Sequence, residues 1–286
     1  MAAEGINIDA DIHARLTALG QLPDDAFPLG EAALLLAASR EPGLNTGPYE
    51  RHLARLADEV AELAGQPKGA DIPPVREQRD ALVEVIARRY GYGGNESVFD
   101  DLDAANLARV IDTRRGLPVS LGIIYMDVCE RLGWSMTGID FPGRFVVRLS
   151  LGADRMILDL FEGAKELHPP DLRVMLKTMA GAEAELDPRF LQEMSARRVI
   201  LRLEDNIRVR QMQAGDLAAA ADTLQGMLLI APDVGHLWRE AGLLNARLDR
   251  IANAVAALEN YLKCEPGQEN GYEASKLLQE LRARLN

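Results

Sequence analysis

Apolar residues recur at intervals of three and four through most of the first third of the chain, the spacing that lines one face of a helix. Leu53, Leu56, Val60 and Leu63 predict an amphipathic helix from Pro48 to Gly65, entered on a proline that suits a first helical turn. Leu82, Val85 and Ile86 repeat the spacing from Pro74 to Tyr90, and Gly91-Tyr92-Gly93-Gly94-Asn95 stops it. Ahead of these, Ile6 to Gly20 reads as a short helix with Asn7 and Asp9 as caps, and Glu31 to Arg40 as a strongly apolar one. Residues 1–95 therefore read as a helical layer. A further helix is expected from Asn106 to Arg115, its basic end matched to the C-terminal dipole. Before it, Asp100, Asp101 and Asp103 lack the glycine and late glutamate of a calcium loop and read as caps.

The periodicity changes after Gly116. Leu117-Pro118 places a helix start near Ser120, and the apolar run through Ile123, Ile124, Tyr125, Met126 and Val128 closes at Arg131-Leu132-Gly133. Ser135 to Phe141, Arg144 to Leu151 and Arg155 to Leu160 then alternate as antiparallel strands, joined by Pro142-Gly143 and Gly152-Ala153-Asp154. Phe145, Val147 and Leu149 share one face of the middle strand; Arg144, Val146 and Arg148 share the other. A turn centred on Gly152 and Ala153 sets residue 146 opposite 159, which makes Arg144 a diagonal neighbour of Asp159 and predicts an ion pair between them. Gly163 to Pro170 reads as a loop, Asp171 to Met179 as a helix, and Asp187-Pro188 as the opening of a last helical section.

That section carries a repeat. Pro232 and Pro266 lie 34 residues apart, the tetratricopeptide period, and each closes a helix pair. Trp238, Gly242, Ala254 and Pro266 fill the second unit's expected places. In the first unit Ala220, Leu224 and Pro232 match, while Glu204 replaces the aromatic and Arg208 the glycine. Gln213-Ala214-Gly215-Asp216 and Leu248-Asp249-Arg250 make the inter-helix turns, and Tyr272 to Leu285 supplies a capping helix for the last apolar face.

Composition narrows the function classes. A chain of 286 residues exceeds one typical domain. Its net charge of −12 opposes the positive field that nucleic-acid binding needs, so no nucleic-acid partner is expected. The run Ala32 to Ala38 is too short to cross a bilayer, and Met1 to Gly5 lacks the basic and apolar parts of a signal peptide. Two widely separated cysteines give no disulfide framework, in keeping with a cytoplasmic protein that has no membrane partner. Metal-ligand spacing is absent, and no cofactor is expected.

The order in Arg115-Gly116-Leu117-Pro118-Val119-Ser120-Leu121-Gly122, Phe141-Pro142-Gly143-Arg144-Phe145 and Leu158-Asp159-Leu160-Phe161 resembles the core of the transglutaminase-like, papain-like superfamily. Its active members carry a Cys at the helix start, a His on the next strand and an Asp on the following one. With the repeats included, nearly the whole chain resembles the SirB-type family of bacterial cytosolic proteins. The resemblance implies an α+β fold, with a helical layer at 1–95, a transglutaminase-like core bearing a small antiparallel sheet at 96–186, and an all-α tetratricopeptide-like region at 187–286. Ser120 stands at the cysteine's place, or Pro118 when the count runs back from Arg131-Leu132-Gly133 without a gap. Many relatives have Pro-Gly-His-Phe where this chain has Arg144, and only Asp159 keeps the expected chemistry.

Acyl transfer needs a base that accepts and returns a proton near neutral pH, and a guanidinium stays protonated throughout that range. Cys129 lies in a core-facing run where a thiol is inert, and Cys264 lies far downstream. Of the histidines, His13 and His52 belong to the leading helices and His236 to the repeats, which leaves His168 to approach Asp159. Two readings stand. One is a catalytically inactive transglutaminase-like protein that binds a protein or peptide partner, with Arg144, Asp159 and Trp238 as candidate binding residues. The other is a residual hydrolase or acyltransferase using Ser120, Asp159 and an unrecognised base; a histidine nitrogen within hydrogen-bond reach of Ser120 separates the two.

Overall fold

The computed structural model describes residues 8–66, 70–265 and 271–285. In chain order its elements are α1 (Ala10–Gly20), α2 (Leu29–Arg40), α3 (Gly47–Leu63), α4 (Val75–Leu82), α5 (Leu107–Thr113), α6 (Pro118–Arg131), β1 (Ser135–Phe141), β2 (Arg144–Leu151), β3 (Asp154–Asp159) and β4 (Lys165–Leu167). After them come α7 (Pro169–Ala180), β5 (Glu193–Met194), α8 (Ala196–Gln213), α9 (Leu217–Ile230), α10 (Gly235–Arg247), α11 (Ile251–Cys264) and α12 (Gly271–Leu285). The fold is α+β. No helix among the described residues is long and apolar enough to cross a membrane.

The chain separates into two compact units. One holds Pro23–Ala37 and Leu44–Leu203; the other holds the described residues within 1–22, 38–43 and 204–286.

The first unit contains a five-stranded antiparallel sheet in the order β4-β3-β2-β1-β5. Two of its hairpins follow from local chemistry. Pro142 and Gly143 form the two-residue link that sets Phe141 opposite Arg144, with Gly143 at φ +71°, a conformation open to glycine. Gly152 and Ala153 do the same for Leu151 and Asp154. Because that turn closes at Asp154, the third strand runs from Asp154 to Asp159, one residue earlier at each end than its alternation indicates. α6 is buried from Val119 to Cys129, and Gly122 admits the Phe145 ring of β2, so the helix lies directly on the sheet.

Two short strands were not expected. β4 lies within the segment read as a loop, and β5 precedes α8 where the helical section was to open at Asp187-Pro188; Pro188–Leu191 is only a short 3-10 turn. Both strands exist by pairing with a longer neighbour, three positions in β4 and two in β5. The apolar helix ending at Tyr90 is also not uniform. Val83–Arg89 continues α4 as a π-helix, and the Tyr90 amide donates to the Val85 carbonyl at 3.0 Å, five residues back.

The second unit is helical. Within this unit α8, from Glu204 on, turns into α9 at Gly215 (φ +77°), and α10 packs on α11 after a turn at Asp249 (φ +59°). α12 covers the end of the stack, placing Ala274, Leu278 and Leu281 against Ala254, Leu258 and Tyr261. Ile6, Asn7 and Pro266, named among the sequence signals, lie outside the described residues. Asp9 does cap α1, its carboxylate accepting from the Asp11 amide at 2.9 Å. α1 then packs on α9 so closely at Gly20 that a Cβ there would overlap the Leu229 carbonyl. Gly20→Ala is therefore expected to lower stability by about 1–3 kcal/mol, since backbone cannot yield as a flexible side chain does. Urea unfolding checks this, and a loss within about 0.5 kcal/mol contradicts so close an approach.

Candidate functional site

Pro118 opens α6, which places Ser120 in its first turn. The Ser120 side chain is fully buried and its hydroxyl donates to the Ala104 carbonyl at 2.7 Å. That carbonyl belongs to a short 3-10 turn, Asp103–Ala105, sixteen residues upstream, so the bond could not be read from the helix pattern. Among the described residues, no histidine nitrogen is hydrogen-bonded to Ser120.

Arg144 opens β2 and Asp159 closes β3. The register pairs Val147 with Leu158, and the diagonal this creates brings Arg144 Nη2 within 2.7 Å of Asp159 Oδ2. The same guanidinium nitrogen lies 3.0 Å from Glu162 Oε1. Asp159 is 1% exposed, and its Oδ1 accepts from the Phe161 amide at 3.0 Å. Burial pushes the Asp159 carboxyl above the usual carboxylate range, while the Arg144 charge and the Phe161 amide pull against that shift. A cation at this place can orient an anion but cannot relay a proton.

His168 does not reach Asp159 through any bond found here. Its ring is exposed, with Nδ1 3.8 Å from Glu166 Oε1, and its amide is capped by Asp171 at 2.9 Å where α7 begins. Cys129 is fully buried, and burial drives its thiol far up. Cys264 is exposed, with Sγ 3.7 Å from the Pro232 carbonyl. The described residues contain no group of His, Cys, Asp and Glu side chains able to hold a metal; Asp101 instead accepts from the Asp103 amide at 2.9 Å, as a cap does.

Further contacts around this place escaped the sequence reading. Gly93 bridges to Arg115, just ahead of α6, and Gly94 admits the Phe161 ring where any side chain would collide. Phe161 in turn lies 5.3 Å, ring to ring, from the half-exposed Phe99. The paired glycines were the available signal, since glycine in such a segment marks close backbone approach.

The π-helix delivers Tyr90 and Tyr92 to a second polar cluster. His52 Nε2 lies 2.9 Å from the Tyr92 hydroxyl and 3.0 Å from Arg114 Nη1, whose guanidinium stands 4.8 Å over the Tyr92 ring. Burial first, then the charges of Arg114 and Arg55, lower the His52 pKa to about 4. A base whose folded pKa is depressed opposes folding once the unfolded chain can bind the proton. Stability should therefore fall as pH drops from about 6.5 towards 4, by at most about 2 kcal/mol given the ring's partial exposure. His52→Gln is expected to flatten this slope in urea midpoints taken across that range; an unchanged slope contradicts it.

Trp238, on α10, donates its indole N–H to the Pro232 carbonyl at 2.7 Å. It lines a groove of about 270 Å³ in the helical unit together with Gln225, Asn245 and Asn253, and with Arg250, which is paired to Asp222 at 3.3 Å. The two positions that depart from the repeat pattern are charged and paired. Arg208 reaches Glu240 at 2.7 Å, and the fully buried Glu204 pairs with Arg40.

The family profile described as transglutaminase-like superfamily matches residues 48–205, and a tetratricopeptide repeat profile matches 207–286. A UPF0162 protein of Pseudomonas aeruginosa is 30% identical over 228 residues, 80% of each chain. A UPF0162 protein of Xylella fastidiosa is 27% identical over 259 residues, 88% of this chain and 89% of that protein. Protein SirB1 of Salmonella typhimurium is 26% identical over 215 residues, 75% and 76% of the two chains. No solved structure matches. With more than half its length matched by the family profile and relatives covered over about three quarters or more of their length, the chain belongs to the transglutaminase-like superfamily, carries a tetratricopeptide match after that core, and has UPF0162 and SirB1 proteins among its relatives.

Proposed function

We propose that this protein is a catalytically inactive, cytoplasmic member of its superfamily that works as a protein- or peptide-binding module. The observation that carries the reading is the pairing of Arg144 with Asp159, two residues that the resemblance sets where active members have His and Asp. The buried Ser120 hydroxyl, committed to a backbone carbonyl, supports it from the nucleophile's side. A hydrolase built on Ser120 and Asp159 lacks a base among the described residues bonded to that hydroxyl. Binding then falls to the Arg144 region and to the Trp238 groove, both candidate surfaces for a polypeptide.

Affinity capture from a cytosolic lysate of the source organism tests this. The native chain should retain a defined protein partner. Arg144→His, which keeps a donor to Asp159 but removes the fixed cation, or Asn253→Lys in the groove, should release it. Retention of the same partner by both variants, each verified as folded, contradicts a role for these two surfaces.

A further inference from the structure

We infer that a cleft at the start of β1 receives a lysine or arginine side chain from an extended segment of a protein partner. This rests on the module reading and assigns it a third surface. The cleft lies at the opposite end of β1 from the Phe141–Arg144 turn, and it encloses about 460 Å³, a size typical of ligand sites.

Its lining has two chemistries. Phe27, Trp134, Met126, Met136 and Met194 make an apolar floor, and each is at least nine-tenths buried. The Trp134 ring is fixed by its indole N–H, which donates to Gln66 Oε1 at 2.6 Å. Above the floor stand Asp24, Asp25, Glu130 and Glu193, and the lining contains no lysine, arginine or histidine. Two of these acids are balanced from outside: Arg197 reaches Asp24 at 2.8 Å and Arg148 reaches Glu193 at 2.8 Å. Asp25 and Glu130 form no ion pair among the described residues. The cleft thus carries the Asp25 and Glu130 carboxylates beyond the two that Arg197 and Arg148 balance, with the Arg197 guanidinium itself 4.6 Å over the Phe27 ring.

That combination suits a long cationic side chain, whose methylene stem lies on apolar surface while its head meets carboxylates. Methionine thioethers adapt to such a stem. Thr137 adds only backbone to this wall, since its side chain lies on the face of β1 opposite Met136 and its Oγ1 is closed off from solvent. Along this side of β1 only Gly138 and Ile139 pair with β5, so among the described residues Ser135 to Thr137 have no partner strand there, and an extended segment would meet this edge beside Ser195 and Ala196.

The test uses the full chain with 13C-methyl methionine and a short blocked peptide bearing lysine and arginine between leucines. Saturable shifts are expected at the Met126, Met136 and Met194 methyls. Asp25→Asn with Glu130→Gln should weaken binding on the order of fivefold or more, as should added salt. Absence of those shifts, equal shifts with a glutamate-substituted peptide, or unchanged affinity in the double variant overturns the assignment. Equal affinity for free spermidine also overturns it, in favour of a small cation. The double variant is carried through the affinity capture as well. A partner retained by it, with no peptide shifts, sinks this cleft while the module reading stands; peptide binding with no captured partner does the reverse.

Discussion

Arg40→Ala is expected to cost about 3–5 kcal/mol at neutral pH, because it strands a carboxylate with no exposure to water. Glu204 is fully buried; its Oε2 meets the Arg40 guanidinium, while Oε1 has no hydrogen-bond partner. Burial holds the Glu204 carboxyl above the usual range, and Arg40 is what offsets that shift. An acid whose folded pKa is raised favours folding while protonated, and that contribution is lost as pH climbs from the unfolded value through the folded one. Removing Arg40 raises the folded value further, so the variant's deficit should be small near pH 4 and grow towards neutrality. Arg40→Met with Glu204→Leu should recover most of the loss, since an apolar pair avoids the desolvation of both charges. Urea midpoints for the native chain and these variants across that pH range check the prediction, and a pH-independent deficit under about 1 kcal/mol contradicts it.

Arg144→Ala carries the second large effect. Asp159 is 1% exposed and would keep the Phe161 amide but lose the one cation paired with it among the described residues, with Glu162 still nearby. A loss of about 2–3 kcal/mol is expected near pH 7, below the full cost of breaking a buried pair because Arg144 is itself 31% exposed. The sign again follows from a raised folded pKa: the deficit should shrink as pH falls and Asp159 becomes neutral. Arg144→His should lose less than half as much, because an imidazole N–H can still donate to the carboxylate. Thermal and urea unfolding of the two variants at acid and neutral pH decide this, and equal losses for alanine and histidine contradict the pairing argument.

Arg144 and Asp159 were legible together for a simple reason. Two-residue turns fix the register of a hairpin, and a fixed register fixes its diagonals. The strands β1 and β2 were equally readable because their alternation ends at Pro142-Gly143. β4 and β5 were not, since two or three residues carry no period and acquire strand geometry only from the neighbour they pair with. The π-helix was hidden for another reason: Leu82, Val85 and Ile86 satisfy an α-helical pattern, and the wider turn becomes visible only in the Tyr90–Val85 bond.

Glu204 shows the limit most sharply. The repeat pattern marked it as a departure from an aromatic, but its partner lies 164 residues away and nothing local announces it. The same holds for the Ala104 carbonyl that takes up the Ser120 hydroxyl. The acidic cleft is a third case, drawing Asp24, Glu130 and Glu193 from segments far apart in the chain.

Whether this transglutaminase-like site performs acyl transfer is decided by intact-mass and peptide mass spectrometry of the native chain after exposure to an alkyl fluorophosphonate and an activated acyl ester. The expected result is no adduct on Ser120, whose hydroxyl is buried and donates to Ala104, while the side chain paired with Asp159 is the guanidinium of Arg144. A stoichiometric adduct on Ser120 that disappears in Asp159→Asn contradicts the inactive-module reading.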